Sequence, residues 1–324
     1  SIEDRNGFWG EQAELIHWNK QPEQIYDFSN PPFVKWFKGG ETNLCYNAVD
    51  RHAESNPNGK ALVYISTETD EEKTYSFSEL RTEVMRMAAI YQSLGVKKGD
   101  RVLIYMPMIA EACFAMLACA RIGAIHSVVF GGFASHSLAT RIDDAKPTVI
   151  VSADAGMRGG RPVPYKHLLD EAISLAEHKP AKVLMVNRGL DKEMVVVEGR
   201  DVDYATLRAA NMDANVPVTW LESSEPSYIL YTSGTTGKPK GVQRDTGGYA
   251  VALAASMKHI YCGNAGETFF STSDIGWVVG HSYIIYGPLI AGMATIMYEG
   301  TPLRPDAGIW WKICQEQEVT VMFS

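Results

Sequence analysis

The sequence predicts an α/β fold: two β/α subdomains with mostly parallel sheets covered by helices. Three observations predict it. From Ala61 onward, short apolar runs alternate with amphipathic stretches of helical length. The runs are apolar on both faces, as strands sandwiched between helix layers are. Capping residues and glycines mark the joins. At 324 residues with 46% hydrophobic and 21% charged side chains, the chain has enough apolar surface for a large core, which excludes a disordered protein.

Residues 1–60 are rich in Trp, Tyr, Phe, Asn and Pro and have weak periodicity, so they read as an N-terminal wrapping segment with a few short helices. Residues 61–226 read as the first β/α subdomain. Ala61 to Ser66 is a strand. Ser76-Phe-Ser-Glu79 is a capping box that starts a helix running to about Leu94, with Gly95 at the turn beyond it. Gly99-Asp100 leads into a strand from Arg101 to Met106. A helix from about Ile109 to Ile122 ends at Gly123, and a strand from Ile125 to Phe130 runs into Gly131-Gly132. Helix over Ser135 to Asp144, strand over Thr148 to Ser152, helix over Lys166 to His178 and strand over Lys182 to Val186 continue the alternation. Residues 187–226 are mixed and acidic and read as an insertion or hinge.

Residues 227–324 read as a second, incomplete β/α subdomain. Its elements are a strand over Tyr228 to Tyr231, a helix near Tyr249 to His259 and a strand over Thr268 to Ser271. A helix within His281 to Ile290, a strand over 294–298, a helix around Asp306 to Gln317 and a strand over Val319 to Phe323 follow. A chain stopping at Ser324, directly after an apolar strand, reads as a fragment of a longer protein.

Thirty Lys and Arg against 38 Asp and Glu leave a net charge of −8, without a long basic run. A nucleic-acid binder needs a basic face, so that class is not expected. Five cysteines, an odd number without zinc-type spacing, read as reduced thiols in the core and point to a cytoplasmic protein. Ser1 to Gly10 lacks the apolar stretch of a secretory leader. Ile275 to Tyr298 has no charged residue and is long enough to span a bilayer, but Pro288 and Gly292 split it, so it reads as two buried elements of a globular core.

The chemistry concentrates in Tyr231-Thr-Ser-Gly-Thr-Thr-Gly-Lys-Pro-Lys-Gly241. Glycines allow close backbone approach to phosphate, successive amides form an anion nest, hydroxyls add donors and lysines add positive charge. The loop is built for polyphosphate. It is not a Walker loop, because only two residues separate Gly234 from Gly237 and Pro239 follows Lys238. The composition alone leaves a plain surface Gly/Ser/Thr loop open.

The string closely resembles the phosphate-binding signature of the acyl-adenylate-forming enzymes. Ser273-Asp-Ile-Gly-Trp-Val-Val-Gly-His-Ser-Tyr283 with Tyr286-Gly-Pro288 resembles the short-chain branch of that family, the acetyl- and propionyl-CoA synthetases. So do Arg158-Gly-Gly-Arg161 and Val129-Phe-Gly-Gly-Phe-Ala-Ser135. Gln243-Arg-Asp245 and Val278-Val279 are more similar to the propionate-activating members than to the acetate-activating ones.

The resemblance implies the N-terminal region of the acyl-adenylate-forming fold and a two-step ligase reaction. A carboxylate attacks the α-phosphate of ATP to give acyl-AMP and pyrophosphate, and the thiol of coenzyme A then displaces AMP. It assigns Thr232, Ser233, Gly234, Thr235, Thr236 and Gly237 to the phosphates, with Lys240 as the catalytic cation. Mg²⁺ is implied as partner of the phosphates, and no protein metal site is expected. Arg158, Gly159, Gly160 and Arg161 are implied to hold coenzyme A, by the 3′-phosphate or the adenine. Trp277, Val278, Val279 and Gly280 are implied to wall a short acyl pocket, where one methylene is worth about tenfold in discrimination. His281 reads as a packing or helix-start residue, since the substrate is already ionised. The family's C-terminal lid lies beyond Ser324, so this chain alone is expected to be inactive. An acetate ligase and a non-catalytic nucleotide-binding module remain the alternatives, and the residues leave the oligomeric state open.

Overall fold

The computed structural model describes residues 3–232 and 239–324. Among them the strands form a seven-stranded sheet, a five-stranded sheet and three two-stranded ribbons. The larger sheet runs, edge to edge, Asp201–Asp203, Lys182–Val186, Val149–Ala153, Arg101–Tyr105, Ile125–Val128, Pro226–Thr232 and Lys240–Asp245. Its first six strands are parallel, and the seventh is antiparallel to the sixth. The smaller sheet runs Val319–Phe323, Thr268–Ser271, Ala294–Glu299, Lys60–Ser66 and Glu71–Ser76, parallel except for the last pair.

Local chemistry sets the helix ends as the sequence predicts. Ser76 Oγ accepts from the Glu79 amide, and Glu79 Oε2 accepts from the Ser76 amide at 2.8 Å, so the helix Phe77–Ser93 starts with a closed capping box. The buried helix Ala110–Ile122 ends at Gly123, whose φ of +72° suits glycine. Both helices, with the helical run 278–290, lie in the main core, whose buried members come from both sheets. A second core layer packs helices Ser135–Ala145 and Tyr165–Leu175 on the outer face of the larger sheet. A third packs Ile309–Glu316 on the smaller one.

Three features depart from the sequence reading. The N-terminal segment contains, besides short helices, a hairpin of Gln24–Asn30 with Phe33–Lys38, in which Tyr26 and Trp36 face each other across the ribbon. The acidic stretch after Val186 is not only a connector: Asp201–Asp203 is the edge strand of the larger sheet. The strands also do not sort at residue 226. Lys60–Ser66 joins Ala294–Glu299 in the smaller sheet, while Pro226–Thr232 joins Ile125–Val128 in the larger. Apolar runs identify strands, but pairing partners depend on how the connections cross.

A buried ion pair ties the two sheets together. Arg188 follows the larger sheet's strand Lys182–Val186, and Glu299 ends the smaller sheet's strand Ala294–Glu299. The guanidinium donates to both carboxylate oxygens at 2.8 and 2.7 Å. Tyr64 and Ser66 hydroxyls also donate to Glu299, and Glu299 is 3% exposed. A second buried pair, Arg121 with Asp50, fastens the N-terminal segment, with Arg121 Nε donating to the Val216 carbonyl. The thiols of Cys45, Cys113 and Cys119 are buried and free, and burial pushes Cys45 up to about 12 and the other two higher, so none is a nucleophile at neutral pH. No helix among the described residues is long and apolar enough to cross a membrane.

Removing one partner of a buried pair strands the other charge. Glu299→Ala is therefore expected to lower stability by about 3 kcal/mol in urea unfolding. A loss under about 1 kcal/mol would mean the pair contributes little more than an exposed one.

Candidate active site

Parallel strands end together, and the loops that leave their carboxyl ends form a natural binding edge. Here both sheets turn that edge toward a shared cleft. One lobe, about 310 Å³, is lined from the larger sheet by Pro107, Met108, Phe130, Gly131 and Gly156, and from the smaller by Asp274, Tyr298 and Glu299. A neighbouring lobe of about 330 Å³ shares Met108, Asp274, Tyr298 and Gly300 with it and adds Ser273, Trp277 and Trp310.

Thr232 and Lys240 are directly paired at the ends of two antiparallel strands. The strand Pro226–Thr232 is parallel to its neighbour, so Thr232 emerges at the same carboxyl edge as the cleft. Ser233, Gly234, Thr235, Thr236, Gly237 and Lys238 lie outside the described residues. The predicted phosphate loop is thus framed by its two ends. Tyr231, just before it, donates to Asp144 at 2.5 Å, and Arg141 lies over its ring at 5.5 Å from the centroid.

Arg158, Gly159, Gly160 and Arg161 form the end of a small exposed hairpin, Gly156–Arg158 with Arg161–Val163. Gly159 and Gly160 have φ of +61° and +79°, a turn that L-residues with side chains disfavour. Arg158 lines the cleft and faces Asp274 electrostatically. Burial raises the Asp274 carboxyl above its usual range, against the Gly276 amide, which donates to it at 2.7 Å, and the charge of Arg158.

Trp277 is half-exposed in the second lobe and lies against Phe130 at 5.2 Å between centroids and edge-on to Phe133 at 6.0 Å. Val278 is exposed and Val279 half-buried, at the start of the helical run. Gly280 is buried: a Cβ there would come within 2.0 Å of the Asp274 carbonyl oxygen. Gly276 is equally tight, because a Cβ would meet the Phe130 Cα at 2.6 Å. Of the four predicted wall residues, Trp277 alone lines these lobes, while Gly276 and Gly280 let the segment lie flat on its neighbours.

His281 is fully buried. Its Nδ1 is 3.1 Å from the Trp277 carbonyl, and its ring stacks with His126 and lies tilted against Tyr228. His126 Nε2 meets the Tyr286 hydroxyl at 2.7 Å. Burial pulls His281 down to about 4 and His126 well below the ordinary histidine value, so both are neutral and act as packing.

Sequence reasoning missed Phe130, Asp274, Tyr298 and Glu299 as cleft residues. Their signal was position: each lies at or just beyond the carboxyl end of a parallel strand.

Residues 49–324 match the family described as AMP-binding enzyme, and residues 1–48 match the acetyl-coenzyme A synthetase N-terminus. The chain is 64% identical over its whole length to a propionate–CoA ligase of Salmonella typhimurium and 63% identical to one of Escherichia coli, covering 51% of each. It is 49% identical to the mitochondrial acyl-CoA synthetase short-chain family member 3 of Rattus norvegicus, again over the whole chain and 47% of the relative. The chain therefore spans about half the length of the curated relatives it matches.

The buried histidines give the protein an acid limit. Burial pulls His281 and the half-buried His52 to about 4 and His126 well below its ordinary value, against about 6.5 when unfolded. Above about pH 6.5 neither state carries these protons, and stability is full. As pH falls below that value, only the unfolded chain takes them up, and each histidine lowers stability by ~1.4 kcal/mol per pH unit down to its folded value. The urea midpoint is expected to fall steadily from pH 7 to 5. A flat midpoint there would show that the histidines are protonated in the folded protein.

Proposed function

The chain belongs to the family of AMP-binding enzymes, and from that premise we propose that the full-length protein is an AMP-forming short-chain acyl-CoA ligase acting on propionate. The observation that carries this reading is the 64% identity, over the whole chain, with a propionate–CoA ligase. The placement of Thr232, Lys240 and Arg158 at the carboxyl edge of the larger sheet, with Trp277 at that of the smaller sheet, supports it.

In the first step a propionate oxygen attacks the α-phosphorus of ATP. A new acyl–oxygen–phosphorus bond forms, and the bond to the β-phosphate oxygen breaks, releasing pyrophosphate. Thr232 and the loop it begins hold the phosphates in line, and Lys240 answers the charge that develops on the leaving group. In the second step the thiol of coenzyme A attacks the acyl carbon, and AMP leaves. Arg158 and Arg161 hold the 3′-phosphate of the nucleotide thiol by charge-assisted hydrogen bonds. Trp277, against Phe130 and Phe133, walls the acyl tail and keeps the site short. Mg²⁺ accompanies ATP as counter-ion of its phosphates. Among the described residues no three His, Cys, Asp or Glu side chains converge to hold a metal.

ATP–pyrophosphate exchange by the full-length protein tests the reading. Propionate is expected to support the fastest exchange, ahead of acetate by about tenfold. Faster exchange with acetate would replace the substrate and keep the reaction. No exchange with any short carboxylate would reduce the protein to a nucleotide-binding module. Lys240→Ala is expected to slow exchange on the order of a hundredfold with an unchanged unfolding midpoint. Unchanged exchange would remove Lys240 from the chemistry.

A further inference from the structure

The hairpin that carries Arg158 and Arg161 is too small to hold itself. Each of its strands has three residues, its tip is exposed, and two glycines in the left-handed region make its turn. A two-stranded hairpin is marginal in water even when longer. Something outside it must set the direction of the two guanidiniums.

That support comes from the smaller sheet. Glu68 lies in the turn between the strands Lys60–Ser66 and Glu71–Ser76. Its Oε1 accepts from the Gly159 amide at 2.9 Å and its Oε2 from the Gly160 amide at 2.6 Å. One carboxylate thus fills the nest of two consecutive left-handed residues. The turn holding Glu68 is itself pinned: the Thr67 amide donates to the Glu299 carbonyl, Thr67 Oγ1 meets the Tyr298 hydroxyl, and Ser66 Oγ accepts from the Thr69 amide. Neither Arg158 nor Arg161 is within 4 Å of a described carboxylate, so Glu68 spends its charge on the backbone and leaves both guanidiniums to a ligand.

We infer that Glu68 is a positioning residue, which clamps the Gly159–Gly160 turn from the opposite sheet and so aims Arg158 and Arg161 at the phosphate of the nucleotide thiol. The inference rests on the coenzyme A reading of this hairpin proposed above. Glu68 also brings a negative charge near an anion site, so two effects oppose each other. The clamp makes removal of Glu68 harmful to binding, whereas simple repulsion makes it helpful.

The sign of the change decides between them. In the full-length enzyme, KM for coenzyme A is expected to rise about tenfold in Glu68→Ala, the size of losing a charge-assisted hydrogen bond, and less in Glu68→Gln, which keeps one acceptor. Pyrophosphate exchange, which does not use the hairpin, is expected to stay within about twofold of the parent and reports that the variants are folded. With the thiol nucleotide lacking its 3′-phosphate, the Glu68→Ala effect is expected to vanish. An unchanged or lowered KM for coenzyme A, or an equal rise with both thiols, would overturn the clamp. The double variant Arg158→Ala, Arg161→Ala separates the two readings. If it leaves KM for coenzyme A unchanged, the coenzyme A reading itself fails. If it raises KM while the Glu68 variants do not, only the clamp fails.

Discussion

The Arg188–Glu299 pair is the interaction on which the site geometry depends. It joins the carboxyl ends of two parallel sheets, the place where both sheets present their loops. Its charges are nearly out of water, and the bidentate geometry with Tyr64 and Ser66 completes the carboxylate's hydrogen bonding. A pair this buried has few alternative partners, so it favours one mutual placement of the sheets. The cleft, with Glu299 itself in its wall, is the space left when that placement is made.

Around this pair the cleft shows a division of labour. Carboxylates that could repel an anionic ligand are engaged: Glu299 by Arg188, Glu68 by two backbone amides, and Asp274 by the Gly276 amide. Arg158 and Arg161 sit on an exposed turn, Arg158 lining the cleft near Asp274. On an acidic protein this turn sets two arginines beside carboxylates that are already engaged. Glycines do comparable work sterically. Gly276 and Gly280 allow backbone against backbone where a single methyl would intrude, and this brings Trp277 onto Phe130.

What was legible in the sequence was set by neighbours along the chain. Ser76 and Glu79 meet within one helical turn, so their capping box was readable from spacing, as was the stop at Gly123. The Tyr231–Gly241 string was singled out by its local composition of glycines, hydroxyls and lysines, which needs no distant partner to be read. Tertiary structure alone decided the rest, because it depends on groups far apart in the chain. Glu68 reaches glycines about ninety residues away, Arg188 reaches Glu299 across more than a hundred, and Lys60–Ser66 takes its partner strand from the far end of the chain. Local spacing specifies which segments are strands and helices. Which strand ends meet, and hence which acids and arginines share a cleft, is chosen only when the buried faces of both sheets close on a common core.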